Sequence, residues 1–249
     1  MLDRVASILR DGGLTALGWR AFSYGYKGFV RPLLPRADEI LYSGVAIGNR
    51  RLGDETITRH LYRAQIDDIP DYEGAIVKGL HQQVKPGDLV VVVGGGLGIA
   101  CVVAAKLSKT GRVICFEGDS PHVELTRNTA RLNGVSDRVD VVHAIVAADI
   151  RVYGGDHSGN VIPASELPKC DVLNLDCEGA EIQILREMTI TPRALVVETH
   201  GPFGSPTAQV RAILEARGYK VEDLGAAEPR FEEEFLKGDV KVLVGILAS

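Results

Sequence analysis

The stretch Leu89-Val90-Val91-Val92-Val93 runs straight into Gly94-Gly95-Gly96-Leu97-Gly98, and then into the apolar segment Ile99 to Leu107. Few folds accommodate that order. An apolar run without alternation fits a strand buried on both faces, as found in parallel sheets. The glycines let the backbone turn sharply and leave no Cβ in the way of a ligand. The helix N-terminus behind them offers free N–H groups to an anion. Glu117 stands at the end of the next apolar run, about twenty residues on, where a carboxylate can accept hydrogen bonds from both hydroxyls of a ribose. Bend plus acid indicates an adenosine-containing ligand, without deciding which.

From Asp71 onward, strand and helix signals alternate. Asp71 reads as the N-cap of a helix from Tyr72 to about Gln83, with Lys85-Pro86-Gly87-Asp88 as its exit. Arg112 to Phe116 is the second strand. Ser120-Pro121 starts a helix that runs to Leu132 and stops at Asn133-Gly134. Val139 to Ala144, Leu173 to Leu175 and Ala194 to Val197 are the third, fourth and fifth strands. Ser205-Pro206 opens another helix, closed by Gly218. Tyr219 to Leu224 and Val240 to Leu247 are a final pair of strands with no helix pattern between them. Glu232-Glu233-Glu234 in the intervening segment reads as a solvated turn. Alternation of this kind gives a parallel sheet with helices on both faces, and the final pair brings the last strand in antiparallel. The expected architecture is a mostly parallel seven-stranded α/β sheet over residues 71–249.

Residues 1–70 differ in character and form a small N-terminal extension of helical fragments and short strands. Leu2, Val5, Ile8 and Leu9 share one helical face, stopped by Gly12-Gly13. The stretch Trp19 to Pro35 interleaves aromatic and basic residues, which packs on the following domain or touches a membrane surface peripherally. Ile40 to Ile47 reads as a strand. The chain has 249 residues, 45% of them hydrophobic, enough for a substantial core without staples. A net charge of −5 argues against a nucleic-acid partner. The four cysteines form no Cys-x-x-Cys pair and read as buried free thiols, which suits a cytoplasmic setting and leaves no iron–sulfur motif. No apolar stretch reaches the roughly 20 residues that span a bilayer.

The glycine bend also fits a short-chain dehydrogenase binding NAD(P). Such an enzyme needs Tyr and Lys four residues apart, the Lys lowering the Tyr pKa. Tyr153 is followed at that spacing by His157 and Tyr219 by Asp223, so the pair is missing. A degenerate nucleotide-binding module without catalysis is the other alternative.

Asn174-Leu175-Asp176-Cys177-Glu178-Gly179-Ala180-Glu181 resembles the D-x-E-G-A-E signature of FkbM-type methyltransferases. Phe116-Glu117 with Ser120-Pro121, Asn128 with Leu132-Asn133-Gly134, and Tyr72-Glu73 resemble further segments of that family, over about residues 70–224. The resemblance implies a Rossmann-like class I methyltransferase fold, S-adenosylmethionine as methyl donor, and O-methylation of a hydroxyl on a sugar, glycan or small metabolite. It implies Gly94, Gly95, Gly96 and Gly98 as the cofactor loop and Glu117 as the ribose ligand. One position departs from the family: Val92 stands where an acid two residues before the first glycine helps to hold the donor's ammonium.

Asp176 and Glu178 fall at the carboxyl end of the fourth strand, where ligands bind in open α/β sheets. They are candidates for catalysis, and Asp176 also for the cofactor site. Glu198 and His200 end the fifth strand facing the same crevice. His200 is the preferred general base, because an unperturbed imidazole titrates near neutrality. Glu181 starts the next helix and complements its dipole. The spacing of Asp176, Glu178 and His200 is not diagnostic of Mg²⁺, and no metal site is assigned. The polar loop Arg151 to Pro163 either borders the expected acceptor site or is an inert exposed hairpin tip. No Asn-Pro-Pro-Tyr motif, used on nucleobase amino groups, follows the fourth strand.

Overall fold

The computed structural model describes residues 15, 22, 37–47, 63–147 and 160–248. The helix expected over residues 2–9, the aromatic and basic stretch 19–35 apart from residue 22, and residues 151–159 of the polar loop lie outside them. The chain divides into two compact units, residues 1–39 with 49–66 and residues 40–48 with 67–249. β1 (Ala37–Tyr42), β2 (Val45–Ile47) and β3 (Arg63–Ile69) form a three-stranded sheet in the order β2-β1-β3. Within the second unit, β2 is held by Asn133, whose side chain accepts from the Ala46 N–H at 3.3 Å and donates to the Ala46 carbonyl at 2.9 Å.

The large sheet holds β4 (Val90–Val93), β5 (Val113–Glu117), β6 (Val139–Val146), β7 (Asn160–Ile162), β8 (Val172–Leu175), β9 (Ala194–Glu198), β10 (Tyr219–Ala226) and β11 (Lys241–Leu247). Their spatial order is β10-β11-β9-β8-β4-β5-β6-β7. Only β11 runs against the rest of this sheet, antiparallel to both β9 and β10. The mostly parallel Rossmann-like sheet with its last strand reversed is therefore as expected. It carries one more strand than the sequence indicated. β7 is three residues long and lines the free side of β6, too short for any periodic signal.

The unbroken valines of β4 are buried on both faces, and alternate residues serve separate cores. Val90 and Val92 pack with Ile76, Leu80 and Val196, whereas Val91 and Val93 pack with Leu173, Leu175 and Leu195. Each such side chain contributes about 1.5–3 kcal/mol. Helix α1 (Gly74–Gln83) and α2 (Ile99–Ser108) cover the first face. α2 is apolar nearly all round because its flanks are also covered.

Three local expectations are corrected. α1 begins at Gly74, not Tyr72, because Glu73 adopts a left-handed conformation (φ 49°) and no side chain caps the helix. α3 (Ser120–Leu132) is capped one residue earlier than Ser120, by Asp119, whose carboxylate accepts from the His122 N–H. After α4 (Glu181–Glu187) and α5 (Thr207–Ala216), the segment expected as a solvated turn holds a short helix, α6 (Glu232–Lys237). Its first turn is Glu232, Glu233 and Glu234, acids that complement the helix dipole.

Candidate functional site

The chain leaves β4 toward β5, β6 and β7 on one side and returns through β8 on the other. β4 and β8 therefore bracket the switch point of the sheet, where a crevice opens beyond the strand ends. Register determines what meets there. Val93 pairs with both Phe116 and Leu175, and Leu175 pairs with Val197. One row further on stand Gly94, Glu117, Asp176 and Glu198, all on the α1 side of the sheet. A cleft of about 180 Å³ opens over that row, walled by Gly94, Gly95, Gly96, Glu117, Asp176 and Glu178 among others. Gly94 (φ 92°) is compulsory, since a Cβ there would collide with the Asp176 carbonyl. Gly98 is set back from the cleft. It caps α2 and packs closely on Thr126 and Thr129 of α3.

Glu117 is 7% exposed, and its carboxylate is already engaged. Oε2 accepts from the Gly95 N–H at 2.7 Å and the Gly96 N–H at 2.9 Å, while Oε1 accepts from the Asp119 N–H at 2.8 Å. The bend thus presents fewer free donors to an anion than the glycine pattern implied, because the protein's own acid takes two of them. Oε1 keeps a lone pair for a ligand hydroxyl. The rest of the wall is apolar (Val93, Phe116, Ala144, Val146) and acidic: Glu73, Asp119, Asp176 and Glu178 line it with His122, which pairs with Asp119 at 3.0 Å.

Glu73 escaped the sequence reading as a site residue. It enters from the loop before α1, and its N–H donates to Glu228 Oε1 at 2.7 Å. Burial raises its carboxyl well above the usual range, and Asp176, Glu198 and Glu228 raise it further. Val92, the departure from the family pattern, is wholly buried among apolar side chains.

The D-x-E-G-A-E segment folds around its last residue. Glu178 (φ 51°) and Gly179 (φ 111°) turn the chain tightly, so that the fully buried Glu181 reaches back. Its Oε1 accepts from the Cys177 N–H at 3.2 Å and its Oε2 from the Gly179 N–H at 3.0 Å. The same Oε1 lies 2.9 Å from His200 Nδ1. Glu181 does begin α4, but its carboxylate also organises the loop and orients His200. No sequence spacing announced that contact. Glu181 is held below the usual carboxylate range because its bonds to His200 outweigh the opposing effect of burial. His200 lies outside the cleft lining, behind Asp176, with Nε2 at 3.4 Å from Glu198 Oε1 and 3.7 Å from Asp176 Oδ1. Burial alone would lower its pKa; bonds to Glu181 and Glu198 and the charge of Asp176 push it up to about 11. Burial and Glu198 raise Asp176 well above the ordinary range, and burial raises Glu178.

Residues 160–221 match the methyltransferase FkbM domain family. The matched segment contains the D-x-E-G-A-E loop, Glu198 and His200, and the glycine bend lies before it. Among curated proteins, the chain is 38% identical over 65 residues to the ribosomal protein L11 methyltransferase of Oceanobacillus iheyensis, covering 26% of this chain and 20% of that protein. It is 30% identical over 80 residues to the namesake in Syntrophomonas wolfei, covering 32% of this chain and 26% of that protein. These matches span about a quarter or less of the relatives' length. Among solved structures, the precorrin-6y C5,15-methyltransferase of Geobacter metallireducens aligns at a TM-score of 0.49 with 13% identity, over 72% of this chain and 89% of that one. Among the described residues, no helix is long and apolar enough to cross a membrane.

Proposed function

We propose that the chain is an S-adenosylmethionine-dependent methyltransferase that methylates a hydroxyl oxygen on a sugar, glycan or other small metabolite. The observation that carries this reading is the engaged glycine bend. Gly95 and Gly96 donate to Glu117, and the ionisable groups of the wall beyond are acidic apart from His122. A pyrophosphate would meet like charge and find those two donors taken, which disfavours NAD(P). A sulfonium is a cation and is attracted by the same wall.

In this reading Gly94 to Gly96 let adenosine lie against the backbone, and Glu117 Oε1 accepts from a ribose hydroxyl. Asp176 and Glu178 form the wall toward the acceptor, and Asp176 accepts the hydrogen bond of the incoming hydroxyl. His200 acts from behind the wall, so the contact with the acceptor expected of it passes to Asp176. Transfer is an in-line displacement, in which the protein's part is to align oxygen, methyl carbon and sulfur and to exclude water. Carboxylates on the acceptor wall suit a hydroxyl donor, which favours oxygen as the site of methylation.

Calorimetry tests the donor assignment. S-adenosylhomocysteine binds the wild type, NADH does not, and Glu117→Ala weakens binding by about 1–3 kcal/mol through loss of a charged acceptor. Binding of NADH without binding of S-adenosylhomocysteine would reverse the assignment.

A further inference from the structure

Adjacent strand ends bring Asp176, Glu198 and His200 together. One ligand atom from each lies within 4.8 Å of the others. The imidazole is fixed in orientation. Glu181 is filled by two backbone N–H groups and acts on His200 as an acceptor, so Nδ1 carries a proton and donates at 2.9 Å. Nε2 is then turned toward two carboxylate oxygens at 3.4 and 3.7 Å. Both separations exceed the roughly 2.7–2.9 Å of a charge-assisted hydrogen bond. Nε2, Asp176 Oδ1 and Glu198 Oε1 thus converge, and the His200 and Glu198 side chains are only 8% and 11% exposed.

The 3.4 Å separation equals an edge of a tetrahedral coordination shell, and the 3.7 Å one is slightly longer. Bonds of about 2.0–2.2 Å to nitrogen and oxygen place neighbouring ligands about 3.0 Å apart in an octahedron and about 3.4 Å apart in a tetrahedron. We propose that Asp176, Glu198 and His200 bind a divalent first-row metal ion, with Glu181 holding the imidazole from behind. A carboxylate on the far ring nitrogen is the usual support for a metal-bound histidine. Two oxygens and one nitrogen favour Mn²⁺ or Zn²⁺ over Mg²⁺, which prefers an all-oxygen shell. The ligand set differs from the one weighed from the sequence. Glu198 takes part, whereas Glu178 lines the cleft. Asp176 belongs to both places, so the ion stands beside the wall assigned to the acceptor. The site does not depend on the methyl-transfer reading.

The test is titration of Mn²⁺ alone into the chelator-stripped full-length chain, followed by electron paramagnetic resonance. One equivalent binds, and electron spin-echo modulation reports a single imidazole nitrogen. His200→Gln abolishes the modulation and weakens binding more than about tenfold, as does Asp176→Asn, while Glu178→Gln leaves Mn²⁺ affinity unchanged. Circular dichroism identifies any variant that has not folded, and the nitrogen modulation of the wild type is decisive without it. No stoichiometric binding of Mn²⁺ or Zn²⁺, or binding without nitrogen modulation, overturns the proposal. S-adenosylhomocysteine affinity, measured on the same metal-free protein, reports separately on the donor assignment.

Discussion

Replacing Glu181 by alanine removes the acceptor shared by the Cys177 N–H, the Gly179 N–H and His200 Nδ1. The carboxylate is fully buried, so water does not readily replace it. Each buried donor left without a partner costs about 1–3 kcal/mol, and part of that is offset because the carboxylate no longer has to be desolvated. Removing one partner of a buried ion pair costs about 3–5 kcal/mol, which is the expected loss for Glu181→Ala. With a urea slope of about 2–3 kcal/mol/M, the unfolding midpoint falls by roughly 1–2 M. Glu181→Gln keeps one acceptor oxygen and loses about 1–3 kcal/mol. The assay is equilibrium urea unfolding followed by circular dichroism. A midpoint within about 0.3 M of the wild type for Glu181→Ala would show that the loop does not depend on this carboxylate.

Gly94→Ala forces a Cβ onto the Asp176 carbonyl at a left-handed backbone position. The variant is expected to lose S-adenosylhomocysteine binding in calorimetry, and unchanged affinity would displace the bend from the site. Asn133→Ala releases both backbone groups of Ala46 and is expected to cost about 1–2 kcal/mol, with faster hydrogen exchange at Ala46 but not in β4. The Tyr219 hydroxyl donates to the Pro192 carbonyl, and burial pushes its pKa up to about 12 from 10. A raised folded pKa means that its contribution to stability is present below pH 10 and lost as pH rises toward 12. Tyr219→Phe should therefore unfold with a flatter pH dependence in that window; an identical profile would contradict the assignment.

The strand–bend–helix of β4 and α2 was legible because each step has its own local signal: four buried valines, a glycine run, then an apolar helix. Glu117 was legible as the acid ending the next strand, but not its grip on Gly95 and Gly96, which depends on the bend's detailed path. Asp176, Glu198 and His200 could be placed at strand ends from pattern alone. Their sharing of one crevice followed from that placement, but not their contact distances, which depend on how β8 and β9 pack side by side. Glu181 looked like a helix-start acid since local dipole reasoning explains it fully; its bond to His200 spans 19 positions. Glu73 sat inside an expected helix, and only the left-handed turn before Gly74 places it on the cleft. β7 and α6 are too short for periodicity to register.

The clasp between the Glu73 N–H and Glu228 joins points 155 positions apart. It means that one side of the ligand chamber is not shaped by its own segment alone. A substitution around Glu228 or Pro229, which abuts Gly74, reaches the chamber by moving a residue already under backbone tension. The shape of the chamber therefore has a tuning point in the connection after β10, remote in sequence from the glycine bend.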